Sequence, residues 1–60
     1  MRNVKIEATK KTIVITIDRE STEWTSGSGK SLMLASTEGN VEVPGTEYKV
    51  GLNLYRKNEQ

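Results

Sequence analysis

Eight residues of this 60-residue chain carry its most suggestive chemistry: Lys5, Trp24, Lys30, Lys49, Asn53, Tyr55, Arg56 and Lys57. Lys5, Lys49, Asn53 and Tyr55 fall on the polar side of two segments that alternate apolar and polar residues, and Arg56 and Lys57 close the second segment. Trp24 and Lys30 flank the run Gly27-Ser28-Gly29. If the two segments lie close together, they form a basic platform with an aromatic ring. Surfaces of that kind hold single-stranded DNA or RNA, because bases stack on rings while lysine and arginine take the phosphates. Each stacked base contributes roughly 1–3 kcal/mol, so two rings and several cations are enough for useful affinity. Glu7 and Glu42 weigh against this reading, since they put negative charge on the same class of surface.

Other chemistries have fewer components. Gly27-Ser28-Gly29-Lys30-Ser31 has the flavour of a phosphate loop, but Trp24 stands where the motif needs its first glycine. The following residues, Leu32-Met33-Leu34-Ala35, suit a strand rather than the helix whose N–H groups would face phosphate. A looser anion nest of glycine N–H groups with Lys30 is the remaining phosphate reading, against a plain hinge into the next strand. Serine and threonine are plentiful, but no histidine or cysteine is present to activate one as a nucleophile. Asp18, Glu20 and Glu23 read as a solvated acidic stretch interrupted by Arg19, without the spacing of a carboxylate cation cage. The expectation is a protein with no catalytic residues, no metal site and no cofactor.

Composition limits the fold. Sixty residues make one small domain, and such a chain buries only about 60% of the surface its unfolded form exposes. Without cysteine there is no disulfide, and without cysteine or histidine no zinc staple. Nine Lys/Arg against eight Asp/Glu leave a net charge of +1, too balanced for a non-specific coat on duplex DNA. No apolar run is long enough for a signal peptide or a membrane span, so a cytoplasmic protein is expected.

Positioning these side chains falls to strands. The densest signal is Thr12–Ile17, six β-branched residues in a row with Ile13, Ile15 and Ile17 on one face. It reads as the central strand. Val4, Ile6 and Ala8 alternate with Lys5 and Glu7 over 3–8, and a short hairpin joins them to 12–17, so that Val4 and Ile6 share a face with Ile13 and Ile15. Residues 18–30 read as one long loop. Strands over 31–37, 41–43 and 47–56 follow, separated by Glu38-Gly39-Asn40 and by Pro44-Gly45. Leu32 and Leu34 point one way and Met33 and Ala35 the other, so the third strand needs cover on both faces. Gly51, inside the last strand, marks a bend or a close backbone contact.

The expected fold is therefore all-β: a five-stranded antiparallel barrel or a strongly curled sheet. Short length, the lack of a covalent staple and the doubly apolar third strand favour a homodimer or a higher homo-oligomer. Trp24 has two roles open to it: a lid over Met33, Ala35 and Val14, or an exposed stacking residue. Tyr55 can instead pair across strands, and the basic residues can simply guard edges and keep the chain in solution. Two functions follow. One is a nucleic-acid-binding module using the eight residues above; the other is a protein-interaction or assembly unit, a regulator or inhibitor, acting through an exposed edge and the 18–30 loop.

Overall fold

The structure, a computed structural model, describes residues 1–59. Seven short strands run in chain order: β1 (Lys5–Ala8), β2 (Ile13–Thr16), β3 (Trp24–Thr25), β4 (Ser31–Ser36), β5 (Val41–Glu42), β6 (Lys49–Val50) and β7 (Asn53–Lys57). All pairings are antiparallel, and they make three small sheets: β1-β2, β3-β4-β7 and β5-β6. No helix forms among the described residues, so none is long and apolar enough to cross a membrane.

The barrel or single curled sheet expected from the pattern does not form, because none of the three sheets closes. Closure requires every strand to pair on both sides. Here β4 alone has two strand neighbours. The last expected strand, 47–56, breaks in two: β6 pairs with β5 and β7 pairs with β4, and Gly51-Leu52 is the joint between them. A Cβ built on Gly51 would approach Asn40 Oδ1 to 2.5 Å, so the glycine does sit at a close contact, against a neighbouring side chain. The 18–30 segment is no plain loop either, since it contains β3.

Thr12–Ile17 does become a strand, but not the central one. Ile6 pairs with Ile15 and Ala8 with Ile13, which puts the small apolar side chains of the β1-β2 hairpin on one face, with Val14 opposite Glu7 on the other. The hairpin is only partly covered: Ile13, Val14 and Ile15 stay 46%, 45% and 38% exposed. β-branching sets the preference for extended backbone, not the place of a strand within a sheet. The centre belongs to β4, which pairs with β3 along one edge and β7 along the other.

The core is correspondingly thin. Ala35 and Val43 are the buried apolar residues, and beside them Ser36 and Thr37 are buried with their polar groups paired. The molecule is elongated, extending over 44 × 21 × 13 Å. Its radius of gyration is 13.1 Å, whereas about 10 Å is usual for a compact chain of this length.

Hydrogen bonds stitch the sheets together instead. Arg2 and Ser36 exchange backbone bonds of 2.8 and 3.0 Å, which lays the start of the chain along β4. Asn3, at a φ of 55° that asparagine tolerates better than most residues, donates from Nδ2 to the carbonyls of Asp18 and Leu34, both at 3.0 Å. That amide ties the end of the hairpin to the central strand. Thr37 ties in the β5-β6 end: its hydroxyl donates to the Gly39 carbonyl at 2.6 Å and accepts the Leu52 N–H at 2.9 Å. Thr37→Val keeps the shape but leaves the Leu52 N–H unpaired in a site 2% exposed. A loss of about 1–3 kcal/mol is expected, read as a lower urea midpoint. Gly51→Ala should cost less, because the exposed Asn40 side chain can move aside.

Candidate nucleic-acid interface

The three-stranded sheet brings part of the expected site together. Directly opposed residues of neighbouring strands share a face, and the register runs Trp24 to Met33 to Tyr55 across β3, β4 and β7. One row of this sheet thus carries both rings, separated by two strand spacings, about 9–10 Å. Lys57 is opposite Ser31 and Asn53 opposite Ser36, at positions that share this face. Ser36 Oγ donates to Asn53 Oδ1 at 2.7 Å, leaving the Asn53 amide N–H groups as outward donors. Tyr55 is 61% exposed. It also borders a shallow groove of about 210 Å³ with Leu34, Leu54, Glu23 and Arg56, where the ladder slips by one residue between Met33 and Ala35.

Trp24 lies on the edge strand β3, paired with Met33. It is half-buried against β4, and the Arg2 guanidinium carbon lies 4.3 Å from its ring centroid. A cation over an indole face at a partly exposed site contributes about 0.5–1 kcal/mol. The outer guanidinium surface is itself a plane on which a base can stack. An open cleft of about 440 Å³, lined by Arg2, Asn3, Ser21, Thr22, Glu23 and Trp24, lies beside this pair. Sequence pattern held no signal for Arg2, which precedes the first strand and reaches Trp24 only because its backbone pairs with Ser36.

The remaining expected cations are placed elsewhere or are already paired. Arg56 grips Glu23 through two bonds of 2.8 Å, from Nε and from Nη2. Hydrogen bonding to this guanidinium holds the Glu23 carboxyl below the ordinary glutamate value and raises Arg56 in turn. Lys5 lies in the β1-β2 hairpin with its Nζ 3.7 Å from Glu7. Lys49 is on β6, directly opposite Glu42. Lys30 lies at the end of the site sheet, where its carbonyl accepts the Asn58 N–H. A second cation–aromatic group, Lys10 and Lys11 with Tyr48, surrounds a cleft of about 340 Å³ at the tip of the hairpin.

The glycine-rich stretch resolves into a hairpin turn between β3 and β4. The N–H of Gly29 donates to the Ser26 carbonyl, that of Lys30 to Ser28 Oγ, and that of Ser31 to Ser26 Oγ. An anion nest would need those same donors free. Among the described residues no three acidic side chains gather where they would hold a cation. Comparison with known proteins found no matching family model, no matching curated protein and no matching solved structure.

The Glu23–Arg56 pair has a readable pH signature. Because the folded carboxyl titrates below its unfolded value, the pair's contribution is present above the unfolded glutamate value and is lost as pH falls through the folded one. Side-chain carboxyl NMR should show Glu23 titrating below the ordinary glutamate value. Arg56→Gln should return it to the ordinary range, and the stability difference between the two proteins should vanish in acid.

Proposed function

We propose that this chain is a small non-enzymatic module that binds single-stranded DNA or RNA across the β3-β4-β7 sheet. The observation that supports it is the row Trp24-Met33-Tyr55, which sets two rings on one sheet face, with Arg2 stacked on the first ring. Bases on Tyr55 and on the Arg2–Trp24 stack would leave the connecting phosphates within reach of Lys57 and Arg2. Asn53 adds amide donors at one side, and Lys30 adds charge at the end of the sheet. Lys5 and Lys49 belong to other sheets, and Arg56 is bound to Glu23; they drop out of the contact set. Stacking is tolerant of sequence, since every base has a π-face, so modest preference between bases goes with this reading.

A second reading, a protein-interaction unit, is favoured by the exposed Ile13, Val14 and Ile15. Salt separates the two. Phosphate contacts release counterions, so affinity for nucleic acid falls steeply as salt rises, whereas an apolar protein contact lacks that slope.

Titration with labelled single-stranded oligonucleotides should show salt-dependent binding that quenches the emission of Trp24, the only tryptophan. Tyr55→Ala should weaken binding by about 1–3 kcal/mol, the range for one lost base stack. Lys57→Ala should weaken it across all sequences and flatten the salt slope by about one contact. Lys5→Ala and Lys49→Ala should leave it almost unchanged. No binding at low salt, or equal losses from all four variants, would remove this reading.

A further inference from the structure

We propose that two copies of this chain pair through the free edge of β2, as antiparallel strands related by a two-fold axis at Val14. β2 pairs with β1 alone, and among the described residues Ile13–Thr16 makes no backbone hydrogen bond to any other segment. An unpaired edge is a template for another strand unless charge, proline or a bulge blunts it. Ile13-Val14-Ile15-Thr16 has no charge and no proline, and its ladder with β1 runs without a slip.

Three observations make a second copy the fitting occupant. The first is area. The chain exposes 4917 Å², about 1,000 Å² more than a compact monomer of its mass would. A standard interface buries about 800 Å² on each partner, so the excess is of the size that one dimer contact removes.

The second is charge. Lys10 and Lys11 precede β2, while Asp18 and Glu20 follow it. Antiparallel pairing of two identical copies lays the basic end of each beside the acidic end of the other. A strand from an unrelated partner would need to carry that same polarity by coincidence.

The third is register. The Thr9 N–H donates to the Thr12 carbonyl at the hairpin turn, and bonded and non-bonded pairs alternate from there. Val14, opposite Glu7, therefore spends its backbone groups on β1, and Ile13 and Ile15 turn theirs to the free edge. Centring the axis on Val14 bonds each Ile13 to Ile15 of the second copy and keeps the isoleucine faces together. It also brings the Lys10-Lys11 turn of each copy beside the Asp18–Glu20 end of the other.

The chain has no cysteine, so single thiols report the register directly. At the proposed axis two Val14 residues form a non-hydrogen-bonded pair with Cα atoms about 4.5 Å apart, inside the disulfide range of about 4.4–6.8 Å. Two Ile13 residues would be about 8 Å apart, outside that range. Both residues are nearly half exposed in the single chain, so either replacement removes little packing.

Sedimentation equilibrium of the unmodified chain should show its mass rising from one to two chains with concentration. Under mild oxidation Val14→Cys should form a covalent dimer at least several-fold faster than Ile13→Cys. Lys10→Asp should weaken the dimer, and adding Asp18→Lys should restore it. A single-chain mass at every concentration, or equal cross-linking of the two cysteine variants, would overturn the proposal. Nucleic-acid affinity is not part of these readouts, so they stand apart from the functional reading of the β3-β4-β7 face.

Discussion

The structure depends on the hydrogen bonds around Ser36 and Thr37. With Ala35 and Val43 as its buried apolar side chains, the chain has no apolar centre large enough to hold three sheets together. Instead, the start of the chain pairs with the Ser36 backbone, and the Ser36 hydroxyl donates to Asn53 on β7. Thr37 closes the joint between β6 and β7 through Leu52. Every buried side-chain polar atom among the described residues has a partner. That completeness matters, because a buried donor left alone costs more than a bond made in its place returns.

This junction also builds the proposed binding face. Pairing with Ser36 fixes the position of Arg2, and that position brings its guanidinium over Trp24. β4 holds Trp24 on one side and Tyr55 on the other, at residues 31 apart in the chain. The Glu23–Arg56 pair lies across the outer strands β3 and β7. There it neutralises an arginine that would otherwise add to the basic surface, and it ties the two edge strands of the platform to each other. The charge proposed for binding and the charge engaged in the fold thus divide between Lys57 and Arg56, adjacent residues that a strand points to opposite faces.

Domains are ordinarily built around one packed hydrophobic core, and here Ala35 and Val43 are the buried apolar side chains. The hairpin isoleucines and the ring-bearing face are different surfaces of the molecule. Pairing through β2 would therefore leave β3-β4-β7 open and double it, and two linked sites raise the avidity for a long strand without any new contact.

The alternation and β-branching of residues 3–8 and 12–17 determined a hairpin and which side chains share its face, because period two is a local property of extended backbone. Pro44-Gly45 and Glu38-Gly39 marked turns for the same local reason, and Gly39 and Gly45 do adopt positive φ. The doubly apolar pattern of Leu32–Ala35 called for cover on both faces, and of these four residues Ala35 alone is buried. Which neighbours that strand takes was not local. β3 is two residues long, too short for any period to show, and the split of 47–56 depends on two separate partners, β5 and β4. Partner choice also decided that Arg56 would meet Glu23, that Lys49 would face Glu42, and that Arg2 would cover Trp24. These contacts join residues far apart in sequence, and their energies arise only once strand order and register bring them together. Residue types thus set what each segment prefers, and the tertiary pairing decided which charges are engaged within the fold.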